Sequence, residues 1–228
     1  MRAEPMHGRK PSEPEPDQPL VLIVDDDAAV REGLSELLRS AGFTPAAFGS
    51  TRDLLDASLL DHPGCLVLDV RMPGASGLDL QHRLAESGNG KPIVFLTGHG
   101  DIPMTVQAMR AGAVDFLTKP VRDQTLLDAV AAGIALDATR RRDAEVVHRT
   151  VERLARLTPR EREVLQEVVR GRLNKQIAFD LGISEVTVKL HRGNAMRKMG
   201  AASIGELIRA WDGLPAPVRD GGRPAAVH

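Results

Sequence analysis

Short apolar runs in the first half of the chain end on polar residues that could act together. LVLIV leads into Asp25 and Asp26, CLVL into Asp69, IVFL into Thr97, and VDFL is closely followed by Lys119. Carboxylates that lie close together remain ionised only if a cation neutralises them. Oxygen ligands without Cys or His favour Mg²⁺. A carboxylate beside such a cation can attack a phosphoryl group.

The same residues predict an aspartyl-phosphate site. Lys119 would balance the charge of the product, and the Thr97 hydroxyl would donate a hydrogen bond to it. Asp27 has a simpler interpretation, because aspartate is a preferred N-cap and a helix is predicted to start at Ala28. Polar groups at the ends of four different runs are not explained as caps in this way. We therefore favour a phosphate site.

The elements that must position these groups alternate between strands and helices from residue 20 to 137. The strands are predicted at 20–24, 44–48, 65–69, 93–96 and 114–117, and the helices at 28–41, 51–60, 78–87, 102–111 and 122–137. Several strands are apolar on both faces, as in a parallel sheet covered by helices on both sides. This pattern predicts a doubly wound α/β domain, in which function lies at the carboxyl ends of the strands.

The second half of the chain shows only helical patterns. Helices are predicted at 159–170, 174–181, 184–199 and 203–210. Counted from Asn174, Ala178 is fifth, Gly182 is ninth and Val188 is fifteenth. A small residue, a turn glycine and an apolar anchor at these positions are typical of a helix-turn-helix. Its core side is predicted to contain Ile177, Leu181, Ile183, Val188, Ala195 and Met199.

The other side of the second helix of this motif is basic. Its candidate DNA contacts are Lys189, Arg192, Asn194, Arg197 and Lys198. We expect the start of this helix to enter the major groove and its basic residues to meet phosphates. The simpler alternative is a solvated basic face on an ordinary helix.

The net charge of −1 conceals an uneven distribution along the chain. Residues 18–137 carry 9 basic and 16 acidic side chains, a net charge of −7, whereas residues 138–228 carry 18 and 11, a net charge of +7. This division indicates two domains with different partners. The predicted boundaries are a disordered tail at 1–19, a first domain at 20–137, a helical linker at 138–157, a second domain at 158–212 and a disordered tail at 213–228.

Composition excludes several classes of protein. The single cysteine, Cys65, excludes an internal disulfide framework. No apolar run approaches the roughly 20 residues that span a bilayer, and the first residues do not resemble a signal peptide. We therefore expect a cytoplasmic protein that does not associate with membranes. Aromatic residues make up 3% of the chain, which argues against base-stacking platforms.

VDDD, LVLDVRMPG, LTGHGD and DFLTKP, in this order and spacing, resemble the receiver domain of two-component response regulators over residues 20–137. The resemblance implies a flavodoxin-like fold. It also implies that Asp69 accepts a phosphoryl group from a sensor histidine kinase. Asp25 and Asp26 would hold Mg²⁺ together with Asp69 and the backbone carbonyl of Arg71.

The resemblance further implies a switch. Thr97 and Lys119 would contact the phosphoryl group, and the Lys119–Pro120 peptide would be cis. Phe116 lies where the family places an aromatic residue that turns inward on phosphorylation; its alternative interpretation is an ordinary core residue. The surface of the fourth helix, fifth strand and fifth helix would then repack, with apolar residues such as Val106 and Met109 available for a dimer contact.

LTPREREVL, NKQIAFDLGISEVTVKLHRGNAMRKM and SIGELIR resemble LuxR-type DNA-binding domains. The whole chain is thus similar to response regulators of the FixJ/NarL family, and to FixJ-type members in particular. By this resemblance Lys189 and Leu190 would approach base edges, whereas Gly193 shortens the reach of the helix. The implied protein is not an enzyme beyond its own phosphotransfer and dephosphorylation. It binds double-stranded promoter DNA as a homodimer on phosphorylation, with RNA polymerase as a further candidate partner.

Two alternatives remain open at this stage. Asp25-Asp26-Asp27 contains the DxD pattern of Mg²⁺-dependent phosphatases of the haloacid-dehalogenase type, with Asp25 as nucleophile. That interpretation leaves Asp69 unexplained and lacks a later acidic pair after a strand. The second alternative is a DNA-binding regulator that does not depend on phosphorylation.

Overall fold

The computed structural model describes residues 18–74, 76–98 and 100–219. The chain forms two compact units, Met1–Arg140 and Arg141–His228. Residues 1–17 of the predicted first tail and 220–228 of the predicted last tail lie outside the described residues. Within the described part, no helix is both long and apolar enough to cross a bilayer.

The first unit contains a five-stranded parallel sheet, as predicted. Its strands are β1 (Leu20–Val24), β2 (Thr44–Phe48), β3 (Gly64–Leu68), β4 (Ile93–Thr97) and β5 (Asp115–Thr118). Their order is β2-β1-β3-β4-β5, and every neighbouring pair is parallel. All the carboxyl ends of the strands therefore lie along one edge.

Helices cover both faces of the sheet. They are α1 (Ala28–Ser40), α2 (Thr51–Asp56), α3 (Gly77–Glu86), α4 (Ile102–Arg110) and α5 (Asp123–Ala155). Along β1, Leu20, Leu22 and Val24 enter one core cluster, whereas Val21 and Ile23 enter the other. This alternation follows from the period of two in a strand. It confirms the prediction that the sheet is buried on both faces.

Two helix ends differ from the prediction by more than two residues. The helix predicted at 51–60 ends at Asp56, because Ala57 caps it and Ser58 takes a left-handed conformation with φ 54°. The helix predicted at 122–137 continues through the predicted linker to Ala155. Residues 138–155 contain neither Gly nor Pro. The Glu145–Arg149 ion pair and the contact of His148 Nε2 with Glu152 Oε1 at 3.4 Å join successive turns of this segment.

The second unit is helical, as predicted. Its further helices are α6 (Pro159–Val169), α7 (Asn174–Leu181), α8 (Glu185–Met199), α9 (Ile204–Asp212) and α10 (Ala216–Arg219). Its core contains all six residues predicted for the inner side of the helix-turn-helix: Ile177, Val188, Ala195 and Met199 are buried, and Leu181 and Ile183 pack against them.

The described start of the predicted last tail belongs to this core. Leu214 and Val218 are 2% and 4% exposed, and Arg162 Nη2 donates a hydrogen bond to the Val218 carbonyl at 2.7 Å. The Gly- and Pro-rich composition of this segment led to the prediction of a disordered tail, although Leu214 and Val218 are apolar and lie four positions apart. The folded unit thus extends to at least residue 219, past the predicted boundary at 212.

Candidate phosphoacceptor site and nucleic-acid interface

Three carboxylates meet at the carboxyl edge of the sheet. Asp25 and Asp26 follow β1, and Asp69 follows the adjacent strand β3, where Val24 pairs with Leu68. One carboxylate oxygen from each lies within 4.8 Å of the others. Asp25 is 2% exposed and Asp69 9% exposed, whereas Asp26 is exposed. The cluster therefore combines two buried carboxylates, Asp25 and Asp69, with one that is open to solvent, Asp26.

Lys119 joins the two buried carboxylates. Its Nζ lies 2.5 Å from Asp25 Oδ2 and 3.0 Å from Asp69 Oδ2. Burial alone would lower the pKa of Lys119, but the hydrogen bonds and charges of these two carboxylates raise it above its ordinary value. Lys119 is therefore an ammonium ion throughout the neutral pH range.

Backbone amides orient the same two carboxylates. The N–H of Asp27 donates to Asp25 Oδ1 at 3.0 Å, and the N–H of Arg71 donates to Asp69 Oδ1 at 3.0 Å. Arg31 Nη1 donates to the Asp25 carbonyl at 2.7 Å, a contact that the sequence did not indicate. Each buried carboxylate thus has one oxygen on an amide and the other on Lys119.

Asp27 has a separate structural role. It is the N-cap of α1, and its side chain accepts hydrogen bonds from the N–H groups of Ala29 and Val30. The capping interpretation made from the sequence is confirmed, and Asp27 is set apart from the carboxylate cluster.

Thr97 and Phe116 lie on the neighbouring strands β4 and β5. Thr97 is 1% exposed, and its carbonyl accepts a hydrogen bond from the Lys119 N–H at 2.8 Å. Phe116 is half-buried, with its ring centroid 5.8 Å from that of Phe95. The Lys119–Pro120 peptide is cis, as the resemblance implied.

Two glycines near these residues were not indicated by the sequence. A Cβ atom on Gly77 would lie 2.3 Å from the Asp69 carbonyl oxygen, so only glycine lets α3 start this close to the acidic cluster. A Cβ atom on Gly100 would lie 2.7 Å from Phe116 Cε1. Neither approach is visible in a single sequence, because each depends on the distance between residues that are separated in the chain.

The residues at the sheet edge fit a hard divalent cation. The three carboxylates offer only oxygen ligands, and the exposed Asp26 leaves the site accessible. Mg²⁺ is bound in proteins by one or two carboxylates with several retained waters. The arrangement can hold such an ion while Lys119 balances one of the two negative charges of the buried pair.

In the second unit, a tight turn joins α7 to α8. Gly182 caps α7 with φ 64°, a conformation that favours glycine. Ser184 caps α8 and accepts a hydrogen bond from the Thr187 N–H at 3.1 Å. The ninth position of the predicted motif therefore holds glycine for a conformational reason.

The predicted DNA-contacting residues of α8 do not all have the same surroundings. Lys189, Leu190 and Arg197 are exposed, whereas Arg192 and Asn194 are partly buried. Arg192 Nη1 donates to Asn174 Oδ1 at 3.0 Å, which ties α8 to the start of α7. Arg197 Nη2 donates to Asn194 Oδ1 at 2.8 Å, so these two form a pair on the helix surface.

Lys198, a predicted DNA contact, is paired with a carboxylate of another helix. Its Nζ lies 2.6 Å from Oε2 of Glu161 on α6, and Glu161 is only 4% exposed. Glu161 also accepts a hydrogen bond from the Thr158 N–H at 2.9 Å. The amphipathic pattern placed Lys198 on the basic face, but a buried carboxylate draws it towards the core. We therefore assign Lys198 a structural role.

Arg153 is a further contact that the sequence did not indicate. It lies near the end of α5, and its Nη1 donates to the Met199 carbonyl at the end of α8 at 3.0 Å. Together with the Glu161–Lys198 pair, this bond anchors the carboxyl end of α8. The predicted linker segment therefore contributes directly to the second unit.

Comparisons with protein families identify the two units separately. Residues 21–131 match the response regulator receiver domain, and residues 155–211 match the bacterial regulatory proteins of the luxR family. The chain belongs to the two-component response regulators that join a receiver domain to a LuxR-type DNA-binding domain. This assignment favours a phosphate-accepting regulator over a phosphatase.

Several named relatives match this chain over most of their length. The chain is 50% identical over 195 residues to Nodulation protein W of Bradyrhizobium diazoefficiens, covering 86% of each chain. It is 49% identical over 195 residues to Response regulator protein TodT of Pseudomonas putida, again covering 86% of each. The Transcriptional regulatory protein FixJ of Azorhizobium caulinodans is 46% identical, with 83% of this chain and 90% of FixJ covered.

Solved structures agree with this assignment. The response regulator StyR, at 50% identity, superposes with a TM-score of 0.76 over 86% of this chain and 98% of its own. Full-length FixJ from B. japonicum, at 39% identity, gives a TM-score of 0.52 over 89% and 97%. The predicted similarity to FixJ-type regulators is therefore confirmed.

Proposed function

We propose that phosphorylation of Asp69 switches this response regulator between states that differ in DNA binding. The observation that carries the proposal is the joint contact of Lys119 with Asp25 and Asp69 beside the exposed Asp26. In this proposal Asp25 and Asp26, which follow β1, would hold a cation while Asp69, which follows β3, reacts.

The proposed chemistry is the transfer of a phosphoryl group from a histidine of a sensor kinase. A carboxylate oxygen of Asp69 forms a bond to phosphorus while the bond from phosphorus to the histidine nitrogen breaks, and the electron pair of that bond remains on the nitrogen. Mg²⁺, held by Asp25, Asp26, Asp69 and the Arg71 carbonyl, would neutralise charge on the phosphoryl oxygens. Lys119 would transfer its contact with Asp69 to the phosphoryl group.

Phosphorylation replaces the single negative charge of the Asp69 carboxylate with a phosphoryl group that carries about 1.5 to 2 negative charges and strong acceptor oxygens at a fixed place. We propose that the Thr97 hydroxyl turns towards these acceptors and that Phe116 fills the space beside β4. The surface formed by α4, β5 and α5 then changes its packing. On α4, Val106 and Met109 are 42% and 43% exposed, and they supply an apolar contact for a homodimer.

On the DNA side, we assign base-edge contacts to Lys189 and Leu190 and phosphate contacts to Arg192 and Arg197, with Asn194 orienting Arg197. The proposed partners are double-stranded promoter DNA, a sensor histidine kinase and, at promoters, RNA polymerase. The protein would act in the cytoplasm and catalyse no reaction beyond its own phosphotransfer and dephosphorylation.

The proposal is tested by labelling with a small radioactive phosphodonor in the presence of Mg²⁺. We expect wild-type protein to incorporate base-labile label and Asp69→Asn to incorporate none. Asp27→Asn is the matched control, because asparagine also caps a helix, and it should be labelled like the wild type. Label retained by Asp69→Asn would contradict the assignment, and label mapped to Asp25 would revive the phosphatase alternative.

A further inference from the structure

One face of α8 presents apolar side chains to solvent. Val186 and Leu190 are 76% and 62% exposed, and Gly193 and Arg197 are also exposed. Residues 186, 190, 193 and 197 are spaced by four, three and four positions, so they lie on one face of the helix. We call these four residues the outer stripe.

The core of the second unit does not use this stripe. Val188, Ala195 and Met199, on the opposite face of α8, are buried in the core cluster. Val186 and Leu190 lie one turn apart and expose apolar surface to water. Burial of this surface against a partner would be favourable. The outer stripe therefore indicates a partner that offers apolar groups to α8.

The charges around the stripe favour a polyanion. Lys189 is exposed next to Leu190, and Arg197 ends the stripe. Residues 138–228, which include the whole second unit, carry a net charge of +7. Double-stranded DNA combines phosphates with one apolar group in its major groove, the C5-methyl of thymine.

We propose that Val186 and Leu190 recognise thymine methyl groups in the major groove. Gly193 assists, because no atom lies within 4 Å of the place where its Cβ would be, and the missing side chain lets the helix approach the bases closely. This inference rests on the proposed role of α8 in reading DNA and adds the chemical group that is read. It follows that preferred half-sites carry thymine beneath the stripe.

The test compares thymine with uracil, which differs only in lacking the methyl group. Full-length protein treated with phosphodonor and Mg²⁺ first selects duplexes from a pool with a randomised central region. The selected duplex is then remade with uracil at each thymine in turn. Loss of one contacted methyl should weaken wild-type binding about fourfold, the equivalent of about 0.8 kcal/mol.

Variants assign each methyl group to a side chain. In Leu190→Ala, uracil substitution at the position read by Leu190 should no longer weaken binding, and Val186→Ala should behave likewise at its own position. Val146→Ala is the matched control, because Val146 is also exposed, at 59%, but lies on α5. It should retain the full effect of uracil.

Failure of this inference is distinguishable from failure of the proposed function. If uracil at every thymine leaves wild-type affinity unchanged while Lys189→Ala still weakens binding, α8 reads DNA without methyl contacts and the inference is wrong. If Lys189→Ala, Leu190→Ala and Val186→Ala all bind the selected duplex like the wild type, the role of α8 in reading DNA is itself wrong. Such a result would leave the outer stripe for a protein partner.

Discussion

A single ammonium group determines the electrostatics of the acidic cluster. Lys119 lies within hydrogen-bond distance of both Asp25 and Asp69, and its raised pKa shows that this charge is favoured by its partners. The same two carboxylates are proposed ligands of Mg²⁺. Lys119 and a bound metal ion would therefore share the negative charge of the site.

Replacement of Lys119 by methionine removes this charge while keeping most of the side-chain volume. We expect Mg²⁺ affinity to rise on the order of tenfold, because the carboxylates lose a competing cation. Labelling of Asp69 by a phosphodonor should fall, since the product loses its counter-charge. Calorimetric titration with Mg²⁺ measures the first effect. Unchanged Mg²⁺ affinity would show that Lys119 does not compete with the ion.

A second ion pair stabilises the DNA-binding unit. The hydrogen bond from Lys198 lowers the pKa of Glu161 below its ordinary value of 4.5, with a further contribution from the Thr158 N–H. A carboxylate whose pKa is lowered by folding adds stability above its unfolded pKa and loses it as the pH falls through its folded pKa. The contribution is thus present at neutral pH and disappears below about pH 4.5.

Glu161→Gln should lower the thermal midpoint of this unit at pH 7 and flatten its decline below pH 4.5. Trp211, the one tryptophan in the sequence, is buried in the same unit and reports its unfolding. Glu163→Gln is the control, since Glu163 pairs with Arg160 on the surface. If the thermal midpoints of the wild type and Glu161→Gln depend on pH in the same way, the Glu161–Lys198 pair does not contribute to stability.

The residues that form the carboxylate cluster were easier to predict than the residues that support them. Asp25, Asp69 and Lys119 were predicted because each follows an apolar run, and parallel strands bring such ends together. Gly77 and Arg153 were missed because their roles depend on approaches across the fold. The ion pair of Lys198 with Glu161 was not predicted, because helical periodicity does not show which neighbouring helix carries a buried carboxylate.

At the scale of elements, the short helix α10 completes the second core. It lies beyond residue 211, where the match to the luxR family ends, yet Leu214 and Val218 are buried with Trp211. The last turns of the described chain are therefore part of the DNA-binding unit.

Leu214→Ala should destabilise this unit by about 2 to 5 kcal/mol, as expected for truncation of a buried leucine. Denaturant unfolding followed by Trp211 fluorescence measures the change. Ala216→Ser, at the exposed first position of α10, should alter stability by less than about 0.5 kcal/mol. Similar small effects of both substitutions would mean that the segment after α9, which contains Leu214, does not pack on the core in solution.

Gly100, just before α4, limits the space available to the Phe116 ring. Gly100→Ala would place a Cβ atom 2.7 Å from the ring, so the ring must move. Gly98→Ala is the matched control, because no atom lies within 4 Å of its Cβ position. With fluorophenylalanine in place of the five phenylalanines, we expect Gly100→Ala to shift the Phe116 resonance and Gly98→Ala to leave it unchanged. Identical spectra would contradict this packing.

The prediction of elements succeeded where a pattern had a clear period and failed where it did not. All five strands were found within one residue at each end, because they are apolar runs bounded by polar groups. The end of α2 was not predicted, because Ser58 adopts a left-handed conformation that is uncommon for serine and cannot be inferred from its residue type. The continuity of α5 was missed because a charged segment between two domains was interpreted as a separate linker.

For the whole molecule, the division of charge predicts how DNA binding depends on salt. The positively charged half should release counterions from DNA, so affinity should fall with salt concentration. If phosphorylation causes two chains to bind one duplex, about twice as many phosphates are contacted. The slope of log affinity against log salt should then double, as measured by fluorescence anisotropy. An unchanged slope would show that the phosphorylated protein binds as a monomer.

The most direct test of the central claim is DNA binding at fixed salt by wild type, Asp69→Asn and Asp27→Asn, each with and without a small phosphodonor and Mg²⁺. We predict that the phosphodonor strengthens binding by the wild type and by Asp27→Asn and has no effect on Asp69→Asn. An equal response of all three proteins, or none in the wild type, would contradict control of DNA binding by phosphorylation of Asp69.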